Sequence, residues 1–510
     1  MRTLLVLLLA GAPAPPPSAP LGRVQSTSLA RVQSGATSQE ARLAEAKKLL
    51  WENEELSCRK GAGICVELDS PESVELLLEV LRTEADRGLA AAHYRDVVWG
   101  ALLEIQDLYA RRVVEKELKE NKKSAWVRQW CAEVLGLYGS ADYGLSLDAA
   151  LKDKDDAVRA AAARALGRIR YPHAQKGLEK QARAKDPILR ANVIEALALC
   201  DPEANRGAYL KGLQDKDGGV RCALLGAAPA AYPEEVEALS AAALEDEDWR
   251  PRMQAVDNLA EVRTKTAVDA LLGALEDGRP AVGARAIQSL QLLTHQKHTR
   301  PDQWVRWWTD NRDTFEFPEG RTDLVKGDAN DTVSVFNGIR LESDHVAFLM
   351  DKSQAMNERL KSRQMTKDEA AHQELTQVLE GLEGRLTFNV FCYSMQVRPF
   401  EEEAVALTKP SSKKALAFHE KAPISGRKDI WAVLTAVLDD PQLDTAYLLS
   451  SGEPDVGTYV HWNRVTYQLK ELNRFHKVVF HSIAYSDNQW YRDQLEKIAE
   501  ATGGEFEWFD

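Results

Sequence analysis

Apolar residues recur at helical spacing from residue 39 to 315, and after "FPEGRTD" the pattern changes to apolar runs alternating with helical segments. In the first half the pattern itself repeats. The segments "AWVRQWCAEVLGLYG", "DAVRAAAARALGRI", "PILRANVIEALALC", "GGVRCALLGAAPAA" and "WRPRMQAVDNLAEV" align on Arg128, Arg159, Arg190, Arg221 and Arg252, each 31 residues after the last. A sixth unit, "PAVGARAIQSLQLL", keeps the period with Gly283 in that place, and an earlier one, "HYRDVVWGALLEI", carries Arg95 slightly out of register. Each unit reads as a helix, an Asp-rich turn ("KDKDD", "AKD", "QDKD", "EDED") and a second helix with one apolar face. Such a pair cannot bury its face alone, so neighbours must stack into a superhelix. The turn carboxylates are expected to cap the second helices and the arginines to bridge neighbouring units. Arg159 and Arg190 should each reach an acid of their own or an adjoining turn. In "DQWVRWWTDNRDTF", Trp304, Trp307 and Trp308 fall at helical spacing and predict an amphipathic helix that seals the last repeat.

The period and its Asp and Arg positions resemble the HEAT-repeat family over roughly residues 70 to 300. The second half has another logic. "VSVFNGIRLE" predicts a hairpin, with β-formers around Asn337-Gly338, the preferred pair for a type I′ turn. Apolar strands follow, "HVAFLM", "RLTFNVFCY", "TAYLLS", "KVVFHSIAY" and "EFEWF", separated by "KDEAAHQELTQVLEGL", "DIWAVLTAVLD", "WNRVTYQLKELNRF" and "WYRDQLEKIAEATGG". Strand–helix alternation with fully apolar strands predicts a parallel sheet covered on both faces. The expected organisation is a leader and linker over 1–38, helical repeats with their cap over 39–315, a linker and hairpin start over 316–339, and a doubly wound, Rossmann-like α/β domain over 340–510.

That last domain resembles von Willebrand factor type A (VWA) domains along its whole length. "VAFLMDKSQAM" matches the family's metal-site opening, "SGRKDIWAVLTAVL" its Gly-Gly-Thr-Asp segment, and "YLLSSGEP" the strand that ends in Thr-Asp-Gly. The hairpin and the repeats together resemble bacterial exported proteins that join HEAT repeats to a VWA domain. The resemblance implies a metal-ion-dependent adhesion site fed by three loops, but here the ligand set is degenerate. Asp351 and Ser353 stand where the first two ligands belong, Ala355 replaces the next serine, Lys428 the threonine and Ser451 the aspartate. Losing those oxygens removes a negative charge and several ligands of an octahedral ion, and Lys428 adds a positive charge. A slip of one residue would put Arg427 in the same slot without changing the sign. No Mg²⁺ or Mn²⁺ and no other cofactor is therefore expected, although Asp429, Glu453 and Asp455 lie in the same loops and could compensate. The Lys428 ammonium then either takes the vacated cation position and pairs with Asp351, or points to solvent from a degenerate loop.

Composition narrows the function. A formal net charge of −13 argues against nucleic acid and anionic membrane surfaces, and no apolar run reaches a membrane span of roughly 20 residues. Arg2 followed by "TLLVLLLAGA" and "PAPPPSAP" resembles a secretory signal peptide and predicts export to the periplasm, cell surface or medium. Cys131, Cys200 and Cys222 read as core residues, whereas Cys58 and Cys65 either close a small loop in an exported chain or remain free thiols. The serine-elbow, zincin, phosphate-loop and Cys-x-x-Cys motifs are all missing, and His295 and His298 read as a surface pair, so the chain is expected not to be an enzyme. A protein-binding scaffold or adhesion-like module remains, with a metal-dependent adhesion module or an accessory subunit of an enzyme complex as alternatives. Trp431, Trp462 and Trp490 follow the ends of strands or open helices, toward the sheet edge, where they either mark the surface at which partners of α/β folds bind or pack beneath their own loops.

Overall fold

The computed structural model describes residues 28–52, 54–83, 91–320, 324, 335–382 and 384–510. Most of the leader expected over 1–38 lies outside the described residues, and the first helix, Ser28–Trp51, starts before the boundary expected near Ser38.

Among the described residues helices and their turns make up the chain from there to Asn311. The second helices of successive units are Ala91–Glu104, Ala125–Leu137, Asp156–Arg168, Pro187–Cys200, Gly218–Ala231, Trp249–Leu259 and Pro280–Thr294. Ser124, Asp155, Asp186, Asp217 and Asp248 each accept a backbone N–H from the first turn of the helix they open. These are the expected caps at the repeat's own period. At the sixth place Arg279 offers no such bond.

The arginines form a ladder. Arg128, Arg190, Arg221 and Arg252 each grip, with two nitrogens, the aspartate 25 residues further on: Asp153, Asp215, Asp246 and Asp277. Each such aspartate belongs to the next unit's turn, so the pair ties neighbouring repeats. Arg159 departs from this, because the position 25 residues on is Ala184. Its guanidinium turns back to Asp156 of its own helix and to the Asp153 carbonyl, 2.7 Å away. Replacing Arg190 with alanine strands a largely buried Asp215 and should cost about 3 kcal/mol. Arg159→Ala loses a partner that is half exposed and should cost no more than about 1 kcal/mol. Urea denaturation of the two variants measures the difference, and equal losses would contradict an inter-repeat role for the ladder. The cap forms as expected, with Trp304 and Trp308 buried against Leu290 and Leu293 and Trp308 Nε1 donating to Asp269 at 2.6 Å. His295 and His298 lie half-buried beside it.

The α/β domain opens with the hairpin, β1 (Val335–Phe336) and β2 (Ile339–Arg340), whose turn residues Asn337 and Gly338 have φ of 49° and 83°. Both are left-handed, as a type I′ turn demands. β3 (His345–Asp351) follows, then the small hairpin β4 (Arg359–Leu360) and β5 (Met365–Thr366), then β6 (Thr387–Tyr393), β7 (Val397–Pro399), β8 (Val405–Ala406), β9 (Thr445–Ser450), β10 (Val479–Tyr485) and β11 (Phe506–Phe509). The sheet order is β11-β10-β9-β3-β6-β7, with β8 also on β6. Its first five strands are parallel, while β7 and β8 pair antiparallel to β6. The sheet is thus mixed rather than wholly parallel. The edge strands escape prediction because "VRP" and "VA" are too short to show a period, and Pro399 fits only an edge.

One face packs on helices Lys367–Gly381 and Lys409–Lys421 together with Phe336 and Ile339 of the first hairpin. The other packs on helices Ile430–Leu438, Trp462–His476 and Gln489–Thr502. β3 lies at the middle of the sheet, so Asp351 emerges at the centre of its C-terminal edge. Among the described residues no disulfide forms. Cys58 and Cys65 lie on one helix, Glu55–Leu68, and seven residues of helix separate their backbones by about 10 Å, too far to bridge.

Candidate functional site

Asp351 is fully buried where β3 ends. Its Oδ1 accepts the Ser353 N–H at 2.7 Å, and its Oδ2 accepts the Ser451 N–H at 3.0 Å and the Ser451 hydroxyl at 2.6 Å. The Lys428 ammonium is 3.1 Å from the same Oδ2 and donates to Ser451 Oγ at 2.8 Å. Ser353 Oγ lies 3.5 Å from Ser451 Oγ. Burial alone would push the Asp351 carboxyl up; the Lys428 charge and the bonds from Ser451 and Ser353 outweigh it and hold the group below its ordinary range. One carboxylate and one ammonium are thus buried together, with hydroxyls filling the remaining hydrogen-bonding positions.

The neighbouring acids have other work. Asp429 caps helix Ile430–Leu438 by accepting the Ala432 N–H at 2.9 Å, and burial raises its pKa. Asp455 faces the Lys428 backbone N–H at 3.4 Å. Ala355 sits half-buried in the 3₁₀ turn Gln354–Asn357. Glu453 bears on the Tyr491 hydroxyl, and the Asp351 loop has a cation of its own.

A second constellation lies where the two halves of the chain meet, and sequence reasoning missed it. Helix Trp462–His476 runs along the second helices of the repeats. Val460 and His461, just before it, both donate their N–H to Asp96 Oδ2, at 2.7 and 2.9 Å. Arg464 is buried over the rings of Trp99 and Trp130, at 4.4 and 4.6 Å, and donates to Glu133 at 2.8 Å. Glu471 takes Arg164 at 3.0 Å and Arg168 at 2.7 Å. Arg474 pairs with Glu195, Phe475 inserts among Ile194, Val220 and Leu224, and Lys477 pairs with Asp257 at 2.5 Å. Gln288 bonds Glu342 at 3.0 Å.

Glu133, Arg164, Glu195, Asp257 and Gln288 occupy one row at the period of the ladder arginines, five residues after each of Arg128, Arg159, Arg190, Arg252 and Gly283. Gly226 fills the remaining place. The repeat puts that row on one face of the array, and this face holds the α/β domain.

The family model for HEAT repeats matches residues 113–198 and 236–303. No curated protein matches the chain. Among solved structures, it is similar to the complex of CpcE and CpcF of phycocyanin lyase from Nostoc sp. PCC7120, at 17% identity over 48% of this chain and 95% of that one, with a TM-score of 0.29. It is also similar to a von Willebrand factor type A protein from Catenulispora acidiphila, at 18% identity over 34% of this chain and 40% of that one, TM-score 0.27. A third likeness is to human deoxyhypusine hydroxylase in complex with glycerol, at 17% identity over 47% of this chain and 91% of that one, TM-score 0.24. The chain carries HEAT repeats within a helical array, followed by a mostly parallel α/β domain.

Of the three tryptophans expected at a partner surface, two are buried. Trp431 packs edge-on against Tyr459 in the core of the VWA-like domain, 4.8 Å between ring centroids, because helix "IWAVLTAVL" is apolar on nearly every side. Trp462 is buried in the same core where the docked helix begins. Trp490 is different: 48% exposed beside Tyr491, it stands at the rim of a cavity of about 640 Å³ between the two halves.

The junction has a pH dependence with a definite sign. Burial raises the Asp257 carboxyl, but Arg285 and Lys477 overcome this and bring it down to about 2. A depressed carboxyl stabilises the fold above its unfolded value near 3.8 and loses that contribution as pH falls toward 2. Between about pH 4 and 2 the wild-type protein should lose on the order of 2 kcal/mol through this group, and Asp257→Asn should abolish that increment. Melting temperature against pH for both proteins measures it; parallel curves would contradict the assignment.

Proposed function

We propose that this chain is a non-enzymatic protein-binding scaffold, exported by its N-terminal leader, whose VWA-like domain works without a bound ion. The observation that carries the reading is the Lys428 ammonium, 3.1 Å from Asp351 and 2.8 Å from Ser451 Oγ, at the centre of the sheet edge. A fixed charge in that position supplies locally what a divalent ion would otherwise supply, so the surrounding loops are ordered without one. The degenerate ligand set Asp351, Ser353, Ala355, Lys428 and Ser451 is then a vestigial metal site that has become a structural one.

Docking supports the same reading and redirects it. The face of the HEAT array that carries the periodic row is covered by the chain's own second domain, so a partner must use what remains. At the C-terminal edge of the sheet, Met395 and Trp490 are both about half exposed. Exposed aromatic and Met side chains on a rigid rim are the composition of interface anchors. Export is supported by the positive start and the apolar "TLLVLLLAGA"; among the described residues no helix is long and apolar enough to cross a membrane.

The test is capture of partners from the native envelope and medium with the immobilised full chain. Capture should be unchanged when EDTA replaces Mg²⁺ and should weaken in Trp490→Ala. Capture that disappears in EDTA and returns with Mg²⁺, but not in Asp351→Asn, would favour the metal-dependent adhesion module instead.

A further inference from the structure

Three residues from three separate elements converge at the junction. Glu55 opens helix Glu55–Leu68, His93 lies in helix Ala91–Glu104, and His461 stands immediately before helix Trp462–His476. A carboxylate oxygen of Glu55 and one nitrogen of each histidine all fall within 4.8 Å of one another. Glu55 Oε2 is 3.1 Å from His93 Nδ1, and Glu55 Oε1 is 3.4 Å from His461 Nε2. Two ligands of a tetrahedral ion with bonds of about 2.1 Å are about 3.4 Å apart, so these spacings suit a small cation.

The tautomers can be assigned from their partners. His93 Nε2 faces the Asp455 carbonyl at 3.3 Å, and a carbonyl only accepts, so Nε2 carries the hydrogen and the neutral ring keeps its lone pair on Nδ1. In the neutral ring His461 Nε2 accepts from Arg59 Nη2 at 3.0 Å, because a guanidinium only donates; in the protonated ring it faces Glu55 Oε1, 3.4 Å away, as a donor. In the neutral rings both lone pairs lie on the nitrogens that face Glu55, where a bound cation would meet them. His93 also has the outer partner typical of a metal-bound histidine, a carbonyl that accepts from its other nitrogen. Its Nδ1 is buried and, although close to Glu55, makes no aligned hydrogen bond.

The same pocket is rich in acid. Asp96, whose charge bears on both histidines, is buried with Oδ1 lacking a hydrogen-bond partner. The charge now met by Glu55 is the Arg59 guanidinium, 2.6 Å from Oε1, on a side chain that is half exposed and free to swing toward solvent. The cavity of about 640 Å³ beside the three residues leaves room for water as a further ligand.

We propose that Glu55, His93 and His461 form a binding site for a divalent transition ion of the Zn²⁺ class, which displaces the Arg59 guanidinium and staples the VWA-like domain to the first HEAT helices. Imidazole and carboxylate select such ions over Mg²⁺ and Ca²⁺, which prefer oxygen alone. This site is separate from the Lys428 position and independent of the scaffold reading.

Calorimetric titration of the untagged full chain with Zn²⁺ at about pH 7.5 tests the proposal, with Co²⁺ absorption as a second readout. One ion should bind per chain. His93→Ala and His461→Ala should each weaken binding at least about tenfold, and Arg59→Ala, which removes the competing cation, should strengthen it. Co²⁺ should give a visible ligand-field band that is lost in His461→Ala. His295→Ala/His298→Ala should bind as the wild type does. Zn²⁺ binding that survives in His93→Ala/His461→Ala, or no one-site binding even in Arg59→Ala, would overturn the site; so would loss of binding in His295→Ala/His298→Ala.

Discussion

Replacing Arg464 with alanine should release the VWA-like domain from the HEAT array. The guanidinium is buried, lies over Trp99 and Trp130, and approaches Tyr459 and Tyr467 at 5.1 and 5.5 Å. Those rings supply the electrostatic contact that Nε and Nη1 lack in hydrogen bonds. Removing the side chain empties this aromatic box and leaves Glu133 with Gln468, at 3.1 Å, as its contact across the junction. Loss of one member of a desolvated charge pair at the centre of an interface costs about 3–5 kcal/mol. The radius of gyration from small-angle scattering should rise, and the emission of Trp99 and Trp130 should shift to the red as they meet water. Arg464→Lys keeps the charge but not the planar stack, and should fall between the two. An unchanged radius in Arg464→Ala would mean that the contacts of Glu471, Arg474 and Lys477 hold the domain without it.

Lys428→Ala should be as damaging, for a different reason. Asp351 is wholly buried, and without the ammonium its negative charge has only hydroxyls and N–H groups around it. Stranding a buried charge costs about 3–5 kcal/mol. Asp351→Asn introduced into Lys428→Ala should recover much of that loss, because no charge is then left to solvate. Thermal denaturation of the two single variants and the double variant measures the coupling; additive losses would contradict a paired charge. The complementary change is constructive. Lys428→Thr, Ser451→Asp and Ala355→Ser together would place hydroxyl and carboxylate oxygens around Asp351 and remove the repelling ammonium, and the resulting chain should acquire a Mg²⁺ site.

Much of this architecture was legible because it rests on local rules repeated at a fixed period. The caps at Asp155, Asp186, Asp217 and Asp248 follow from one side chain meeting the first turn of its own helix. The ladder was legible as a bridge between neighbours, and its exception at Arg159 is explained by one residue, Ala184. The Asn337-Gly338 turn and the Lys428–Asp351 pair were readable for similar reasons: each involves residues that the element order brings together. The docking was not readable, although its signal was present. Glu133, Arg164, Glu195, Asp257 and Gln288 share the repeat's period, but a row of mixed charge on a helix face reads as solvated until its partner is known. That partner, Trp462–His476, lies more than 160 residues beyond the last of them and has an unremarkable amphipathic pattern of its own. Trp431 and Trp462 were misplaced by the same blindness. A tryptophan at the mouth of a strand can face solvent or fold beneath its loop, and only the packing of the neighbouring helix decides. Helix Lys409–Lys421 was overlooked because its start, "TKPSSKK", is polar, even though Thr408 and Ser411 form a reciprocal cap there.

The central proposal is that the Lys428 ammonium, paired with Asp351, stands in for a bound cation. Calorimetric titration of the wild-type full chain with Mg²⁺ and then Mn²⁺ tests it most directly, with Asp351→Asn as the reference. The account predicts that the wild type and Asp351→Asn give the same heats, with no binding that depends on Asp351. One ion bound per wild-type chain with a dissociation constant tighter than about 1 mM, and lost in Asp351→Asn, would contradict it.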